Sequence, residues 1–190
     1  VHEYRAQATD TNVGLHKARR FGTRQLIRIA RRLSKWPDED LYNLIFRNQL
    51  CDFLPRTVRD VVHQTLLQAK IVPHGFEGAF QYKPPLRLMP PIVDGDMLRF
   101  VDENGTEQLA LRRFHWREHD PEGASLIPNA HGSFFHNTQQ TGLMHSIVQD
   151  LETLDEHVLL MGAQGTGKNK IMDQVLELLD RPREYIQMNR

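Results

Sequence analysis

The sequence contains a single cysteine and lacks any hydrophobic run long enough to cross a bilayer. Cys51 has no partner for an internal disulfide, so we expect it to be a small core residue in a reducing compartment. No apolar stretch approaches the roughly 20 residues that a transmembrane helix requires. These absences argue against a secreted domain stabilised by disulfide bonds and against a membrane-spanning protein.

The chain also lacks an excess of charge of either sign. Its 24 basic and 24 acidic side chains balance, so no overall field favours nucleic acid or a membrane surface. No aromatic stacking series accompanies its basic residues, so we interpret the basic cluster near the start as a solvated helix face or a surface that meets an acidic neighbour. We expect no nucleic-acid partner. The cluster consists of Lys17, Arg19, Arg20, Arg24, Arg28, Arg31, Arg32 and Lys35.

Neither end of the sequence has the features of a natural terminus. The start, Val1-His2-Glu3-Tyr4, has no initiator methionine and no signal-peptide pattern. The end, Tyr185–Arg190, stops inside a predicted strand. We therefore expect both ends to be internal to a longer polypeptide, with any targeting peptide outside this stretch.

Residues 23–70 show the 3.6-residue period of amphipathic helices. We predict a small bundle of three helices at about residues 23–70, with Thr23 as the cap of the first helix and Asp38 as the cap of the second. Pro55 suits the first turn of the third helix. The predicted inward faces are Leu26, Ile27, Ala30 and Leu33, then Leu41, Leu44, Ile45 and Leu50, then Val58, Val61, Val62, Thr65, Leu66 and Ala69.

The middle of the chain has a different character. Residues 71–95 hold five prolines, which predicts extended linker structure rather than helix. Two short apolar runs, 97–101 and 106–111, then flank Asn104-Gly105. Asn-Gly between two such runs predicts a β-hairpin.

The last 50 residues read as alternating helix and strand. A helix is predicted over residues 143–154, followed by a buried parallel strand at 157–161. A second helix is predicted from Lys168 to about Leu179, followed by a strand at 184–188. This order of strand, glycine-rich loop, helix and strand predicts a βαβ unit and an α/β fold class.

The glycine-rich loop fits the P-loop pattern of Gly, four residues, Gly and Lys, which binds nucleotide phosphates. Its glycines allow consecutive backbone N–H groups to turn around an anion, and Lys168 would reach the β- and γ-phosphates. Asn169 stands where Ser or Thr normally offers a hydroxyl to Mg²⁺, so we predict it as a metal ligand. The predicted nucleotide-binding residues are Gly162, Ala163, Gln164, Gly165, Thr166, Gly167, Lys168 and Asn169.

Two stretches of the chain carry a family resemblance. Residues 162–190, including Gly-Lys-Asn-Lys-Ile at 167–171 and Arg-Pro-Arg-Glu-Tyr-Ile-Gln at 181–187, resemble a module of the AAA+ ATPases related to dynein and midasin. The branch concerned is mitochondrial, carries a von Willebrand factor A domain and has several modules in one chain. Residues 23–34 resemble a lid helix of the preceding module.

The resemblance implies a P-loop NTPase (AAA+) half-module preceded by a lid and a linker. Residues 1–70 would be the helical lid of one module, 71–135 a β-hairpin linker, and 136–190 the start of the next module, ending before its Walker B strand. Arg24 matches the sensor 2 arginine of such lids, and would serve a nucleotide in the preceding module.

The same resemblance implies the activity and the partners. The intact protein would bind ATP and Mg²⁺ and couple ATP hydrolysis to remodelling of a protein substrate, with neighbouring modules of the same chain as partners. It would be mitochondrial, and this segment alone would be inactive. The alternative is a non-hydrolysing, regulatory nucleotide-binding module, which Asn169 favours because Mg²⁺ demands tight octahedral geometry.

One motif points to a different class of function. Residues 115–119 spell His-x-x-Glu-His, the inverted zincin pattern. On a helix, His115 and His119 would share a zinc ion, with Glu118 as the general base of a metallopeptidase. The flanking hairpin and Asp120-Pro121 leave little room for such a helix, so we keep this as the weaker alternative.

Overall fold

The computed structural model describes residues 22–78, 82–129 and 134–186. The chain divides between Pro85 and Leu86 into two compact units. The first unit is helical, and the second combines helices with a three-stranded antiparallel sheet. Compactness alone does not say which module a segment belongs to, so the three-part division at residues 70 and 135 stays a prediction.

The first unit contains the three predicted helices. They are α1 (Thr23–Lys35), α2 (Leu41–Asn48) and α3 (Arg56–Gln68), and a 3₁₀ turn at Cys51–Phe53 links the second to the third. Cys51 is fully buried, as predicted. The buried apolar residues of this unit are Ile29, Tyr42, Leu44, Cys51, Val58 and Leu66.

The predicted inward face of α1 is wrong. Leu26 and Ile27 are each 53% exposed, whereas Ile29 and Arg32 are buried. Arg32 is held inside by Glu39, whose two carboxylate oxygens accept from Arg32 Nε at 2.7 and 2.6 Å. An arginine with a carboxylate partner can occupy a buried position. The buried face of α1 is therefore the one that carries Arg32, and not the face that the apolar period predicted. Arg32 is therefore not part of a solvated basic face.

The predicted caps of α1 and α2 are each displaced. Gly22, not Thr23, is the N-cap of α1, and its N–H donates to Gln25 Oε1 at 2.9 Å. Asp40, not Asp38, caps α2 by accepting from the N–H of Asn43 at 3.0 Å. Asp38 instead accepts from Lys83 Nζ at 2.9 Å, and that bond holds the pKa of its carboxyl below the usual value.

The second unit begins with an antiparallel sheet in the order β1-β2-β3. Its strands are β1 (Ile92–Asp94), β2 (Met97–Val101) and β3 (Glu107–Arg112). Strands β2 and β3 form a hairpin around Asn104-Gly105, with Gly105 at φ +78°. The side chains of Leu98 and Phe100 are completely buried and supply the inner face of the sheet.

The remaining helices of the second unit are α4 (Trp116–His119), α5 (Thr138–Val148) and α6 (Lys168–Leu179). A 3₁₀ turn covers Gly123–Leu126, and a π turn at Gln149–Thr153 extends α5. Among these described elements, none is both long and apolar enough to span a membrane. The core here contains Leu98, Phe100, Ile127, Met144, Ile147, Val148, Val175 and Leu179.

The two predicted parallel strands are absent from the described residues. Residues 157–161 are in no strand, and Leu159 is 79% exposed. Residues 184–186 are likewise unpaired, with Ile186 83% exposed, and residues 187 and 188 lie outside the described part. A parallel strand exists only where a neighbour accepts its hydrogen bonds, and the ladders in the described part are those of β1, β2 and β3 and a single bridge from Leu88 to Asp102.

Candidate functional site

The glycine-rich loop lies immediately before α6. Gly167 is the N-cap residue of this helix with φ +78°, and Gly165 has φ +83°. A Cβ atom at either glycine would meet nothing within 4 Å. Backbone conformation, and not lack of space, therefore favours glycine at both positions, because L-residues rarely adopt such φ values.

Lys168 folds back across the loop from the first position of α6. Its ammonium donates to the carbonyl oxygens of Ala163 at 2.7 Å and Gly162 at 3.0 Å. A third, longer contact of 3.3 Å reaches Thr166 Oγ1. The positive charge is thereby held over the mouth of the loop instead of extending into solvent.

Thr166 closes the other side of the same loop. Its hydroxyl donates to the carbonyl oxygen of Ala163 at 2.9 Å. A Cβ atom on Gly162 would lie 3.4 Å from Thr166 Oγ1, so the two arms of the loop approach each other closely at this point. The structure therefore brings Gly162, Ala163, Thr166 and Lys168 together.

The surface of the loop is open and its charge is positive. Residues 162–166 are exposed, including Gln164, and so is Asn169 in the first turn of α6. That turn contains Lys168 and Lys170 and no acidic residue. The positive end of a helix is normally stabilised by acidic side chains, so this turn is suited to an external anion.

Of the other predicted site residues, Arg24 lies far from the loop in sequence, whereas Asn169 directly follows Lys168. Arg24 is an exposed residue in the first turn of α1, within the helical unit. Its role as a sensor arginine stays a prediction. Asn169 is exposed in the first turn of α6, and its role as a metal ligand also stays a prediction.

The prediction of a zinc peptidase site at residues 115–119 is wrong. Helix α4 begins only at Trp116, and His115 precedes it with φ +54°. The His115 ring faces Asp96, with Nε2 3.2 Å from Oδ1, and lies 3.6 Å from Glu118 Oε1. Within residues 22–78, 82–129 and 134–186, no three His, Cys, Asp or Glu residues are grouped to hold a metal.

The residues at the far end of α6 were not predicted as functional from the sequence. Asp180 is buried there with φ +56°, and Arg113 and Arg117 contact this end of the helix. An Asp directly before Arg-Pro is a weak signal for a helix end, because Asp tolerates the left-handed region. The partners were not predictable, because they lie more than 60 positions earlier in the sequence.

Comparison with known proteins agrees with the position of the loop. Residues 157–190 match the family described as AAA domain, dynein-related subfamily. The chain is 35% identical over 170 residues to von Willebrand factor A domain-containing protein 8 of Mus musculus, an alignment that covers 90% of this chain and 8% of that protein. No solved structure matches the chain.

These comparisons confirm the resemblance inferred from the sequence. The chain is similar to a von Willebrand factor A domain-containing protein, and residues 157–190, which include the glycine-rich loop, match the dynein-related AAA family. Its mixture of helices with a small sheet fits an α/β P-loop fold. Because the chain spans about 8% of its relative's length, the activity and partners of the whole protein are matters for proposal.

Proposed function

We propose that this chain, as a relative of dynein-related AAA proteins, binds ATP through the loop at residues 162–169. Lys168 and the loop N–H groups hold the phosphates, and Asn169 approaches the Mg²⁺ that accompanies them. In the intact protein, this module would belong to an ATPase that couples ATP hydrolysis to remodelling of a protein substrate in mitochondria. ATP supplies the phosphoanhydride bond, and the chain's own residues bind and orient it.

The position of the Lys168 ammonium is the observation that carries this proposal. An ammonium has three N–H donors, and here two of them make short bonds to the carbonyl oxygens of Gly162 and Ala163. The third makes the longest contact, 3.3 Å to Thr166 Oγ1. A phosphate oxygen can take over this third donor while the two carbonyl bonds keep the charge in place.

The backbone of the loop supports the same conclusion. Positive φ at Gly165 and Gly167 is typical of the turns in which successive N–H groups form an anion-binding nest. The start of α6 adds the positive end of the helix dipole and two lysines. Both features favour a bound phosphate at this end of the helix.

The proposed site is tested by Lys168→Ala in the full-length protein. Hydrogen exchange of peptides covering residues 162–171 is measured while ATP and Mg²⁺ are titrated, so that nucleotide sites elsewhere do not mask the result. We expect ATP to slow exchange in these peptides. Loss of a charge-assisted hydrogen bond should raise the half-saturating ATP concentration by about tenfold or more.

The matched control for this experiment is Lys170→Ala. Lys170 is also exposed in the first turn of α6, so the variant removes the same charge without removing a loop contact. We expect at most a small shift in the half-saturating concentration. Equal ATP protection in the wild type and in Lys168→Ala would overturn the proposed role of Lys168, and no protection in the wild type would overturn the proposed site.

A further inference from the structure

The C-terminal end of α6 is held by the segment that directly follows β3. We define this segment, Arg113–Ile127, as the strap. Arg113 Nε donates to the carbonyl oxygen of Leu178 at 2.7 Å, and Nη2 donates to that of Glu177 at 3.4 Å. The N–H of Phe114 donates to the carbonyl oxygen of Leu179 at 3.0 Å. Three consecutive carbonyls of the last turn therefore accept hydrogen bonds from the strap.

Asp180 provides a second attachment directly after the helix. Its carboxylate accepts from the N–H of Arg117 at 3.1 Å and forms an ion pair with Arg117 Nε at 3.1 Å. Only 4% of Asp180 is exposed, whereas Arg117 is about half exposed. A carboxylate that is buried requires such partners, so Asp180 and Arg117 fix the strap at one defined position.

The strap is also fixed at its other contacts. The N–H of Arg113 donates to the carbonyl oxygen of Asp96 at 2.8 Å, in the turn between β1 and β2. Farther along, the carbonyl oxygen of Leu126 accepts from the N–H of Arg183 at 3.0 Å. The backbone of Arg113 thus bonds to the turn between β1 and β2, while its side chain bonds to the end of α6.

These contacts satisfy a physical requirement of the helix. The last carbonyls of a helix have no partner within it, and they carry the negative end of the helix dipole. A guanidinium at this end satisfies both the hydrogen-bonding groups and the charge. Displacement of α6 along its axis would break these bonds, so docking of the strap defines where the helix lies relative to the sheet.

We propose that the strap is a positioning device for the phosphate loop, with Arg113 as its principal positioning residue. This inference rests on the proposed function. Helix α6 has 12 residues and is about 18 Å long, with the loop at one end and the strap at the other. Both contacts favour the same placement of one rigid helix, so phosphate binding and strap docking strengthen each other by the same factor.

Gly123 offers a way to disturb the strap without altering α6 or the loop. A Cβ atom at this position would lie 2.4 Å from Asp120 Oδ2 and 2.7 Å from Trp116 Nε1. Asp120 Oδ1 also accepts from the N–H of Gly123 at 3.0 Å. Gly123→Ala therefore forces the carboxylate and the indole to move, which loosens the strap from within.

The experiment compares hydrogen exchange in two places in the full-length protein as ATP and Mg²⁺ are titrated. One set of peptides covers the loop, residues 162–171, and the other covers residues 113–118 of the strap. In the wild type, we expect ATP to slow exchange in both sets with the same half-saturating concentration. In Arg113→Ala, exchange in the strap should be fast, and the half-saturating concentration at the loop should rise by about fivefold or more.

Two variants separate positioning from a general loss of stability. Arg112→Ala is the matched control, because the Arg112 side chain is 79% exposed and forms an ion pair with the exposed Asp96 at 3.7 Å. We expect it to leave the loop unchanged. Arg113→Lys should restore part of the ATP response. If Arg113→Ala does not fold, Gly123→Ala takes its place, with the same expected rise at the loop.

The outcomes distinguish this proposal from the proposed function. ATP protection of the loop without any response in the strap overturns the coupling and leaves the ATP site intact. Fast exchange in the strap of Arg113→Ala, with an unchanged half-saturating ATP concentration at the loop, also overturns the coupling. Arg113 would then contribute to stability alone. Absence of ATP protection at the wild-type loop overturns the proposed function and the coupling with it.

Discussion

Arg32 and Glu39 form an ion pair that links α1 to the turn before α2. Arg32 Nε lies 2.7 and 2.6 Å from the two carboxylate oxygens of Glu39, and the two side chains are 3% and 20% exposed. The guanidinium also lies 5.5 Å from the centre of the Trp36 ring. This buried pair determines which side of α1 faces the core of the helical unit.

The first prediction concerns the stability of that unit. Glu39→Ala should lower its free energy of unfolding by about 2–3 kcal/mol, somewhat less than for a fully buried pair because Glu39 is partly exposed. Urea denaturation followed by Trp36 fluorescence measures it, in a Trp116→Phe background that leaves Trp36 as the one tryptophan of these 190 residues. Arg31→Ala, at an exposed neighbouring position, should change stability by less than about 0.5 kcal/mol. Equal effects of the two variants would contradict this account.

The second prediction distinguishes a hydrolysing module from a regulatory one. Replacing Asn169 by Ser puts a short hydroxyl where Mg²⁺ is expected. If the module is regulatory, Asn169→Ser in the full-length protein should leave the ATP affinity within about threefold and raise Mg²⁺-dependent turnover. ATP binding and phosphate release measure the two effects. A collapse of ATP binding in this variant would rule the regulatory interpretation out.

The third prediction compares two glycines with different backbone conformations. Gly167→Ala places a side chain at φ +78° and should destabilise the loop by about 1–2 kcal/mol. Gly142→Ala lies inside α5 with open space around it, and should stabilise the second unit by about 0.5–1 kcal/mol. Thermal denaturation measures both variants, and a shift of the same sign in each would refute the conformational argument.

The fourth prediction uses the buried thiol. Burial raises the pKa of Cys51 from 9.0 to about 11, so at pH 8 the folded chain holds about 100-fold less thiolate than the unfolded chain. Alkylation by iodoacetamide should therefore be at least 100-fold slower in the native protein than in urea. Because the pKa of Cys51 is higher in the folded state, the contribution of the buried thiol to the free energy of unfolding is complete below pH 9. That contribution is lost as the pH rises through about 11.

Cys51→Ala is the control for this pH dependence. The stability difference between this variant and the wild type should shrink as pH rises above 9, and should be constant below it. Equilibrium denaturation at a series of pH values measures the difference. Rapid alkylation of the native thiol at pH 8 would show instead that the core around Cys51 opens readily.

Local signals in the sequence predicted local structure well. The apolar periods located α1, α2 and α3, and Asn104-Gly105 located the hairpin turn. In that turn, Asp102 Oδ1 accepts from the N–H groups of Asn104 and Thr106 at 2.9 and 2.8 Å. These bonds connect residues at most four apart, so neighbouring residues suffice to specify them.

Partners that are distant in sequence explain the incorrect predictions. Asp38 was assigned as a cap, but Lys83 binds it from 45 positions away. Residues 157–161 have the apolar composition of a buried strand, but composition does not supply the neighbouring strand that a ladder requires. His115 fits a zinc motif by spacing, yet its backbone lies in the left-handed region outside α4.

The sequence by itself determined the glycine-rich loop and the helix that follows it, because a motif of eight consecutive residues specifies its own turns through glycine and its own charge through lysine. Tertiary structure decided which face of α1 is buried and what holds the far end of α6. Both outcomes depend on buried charges, and a buried charge is tolerated only where folding brings it an opposite charge or hydrogen-bonding partners.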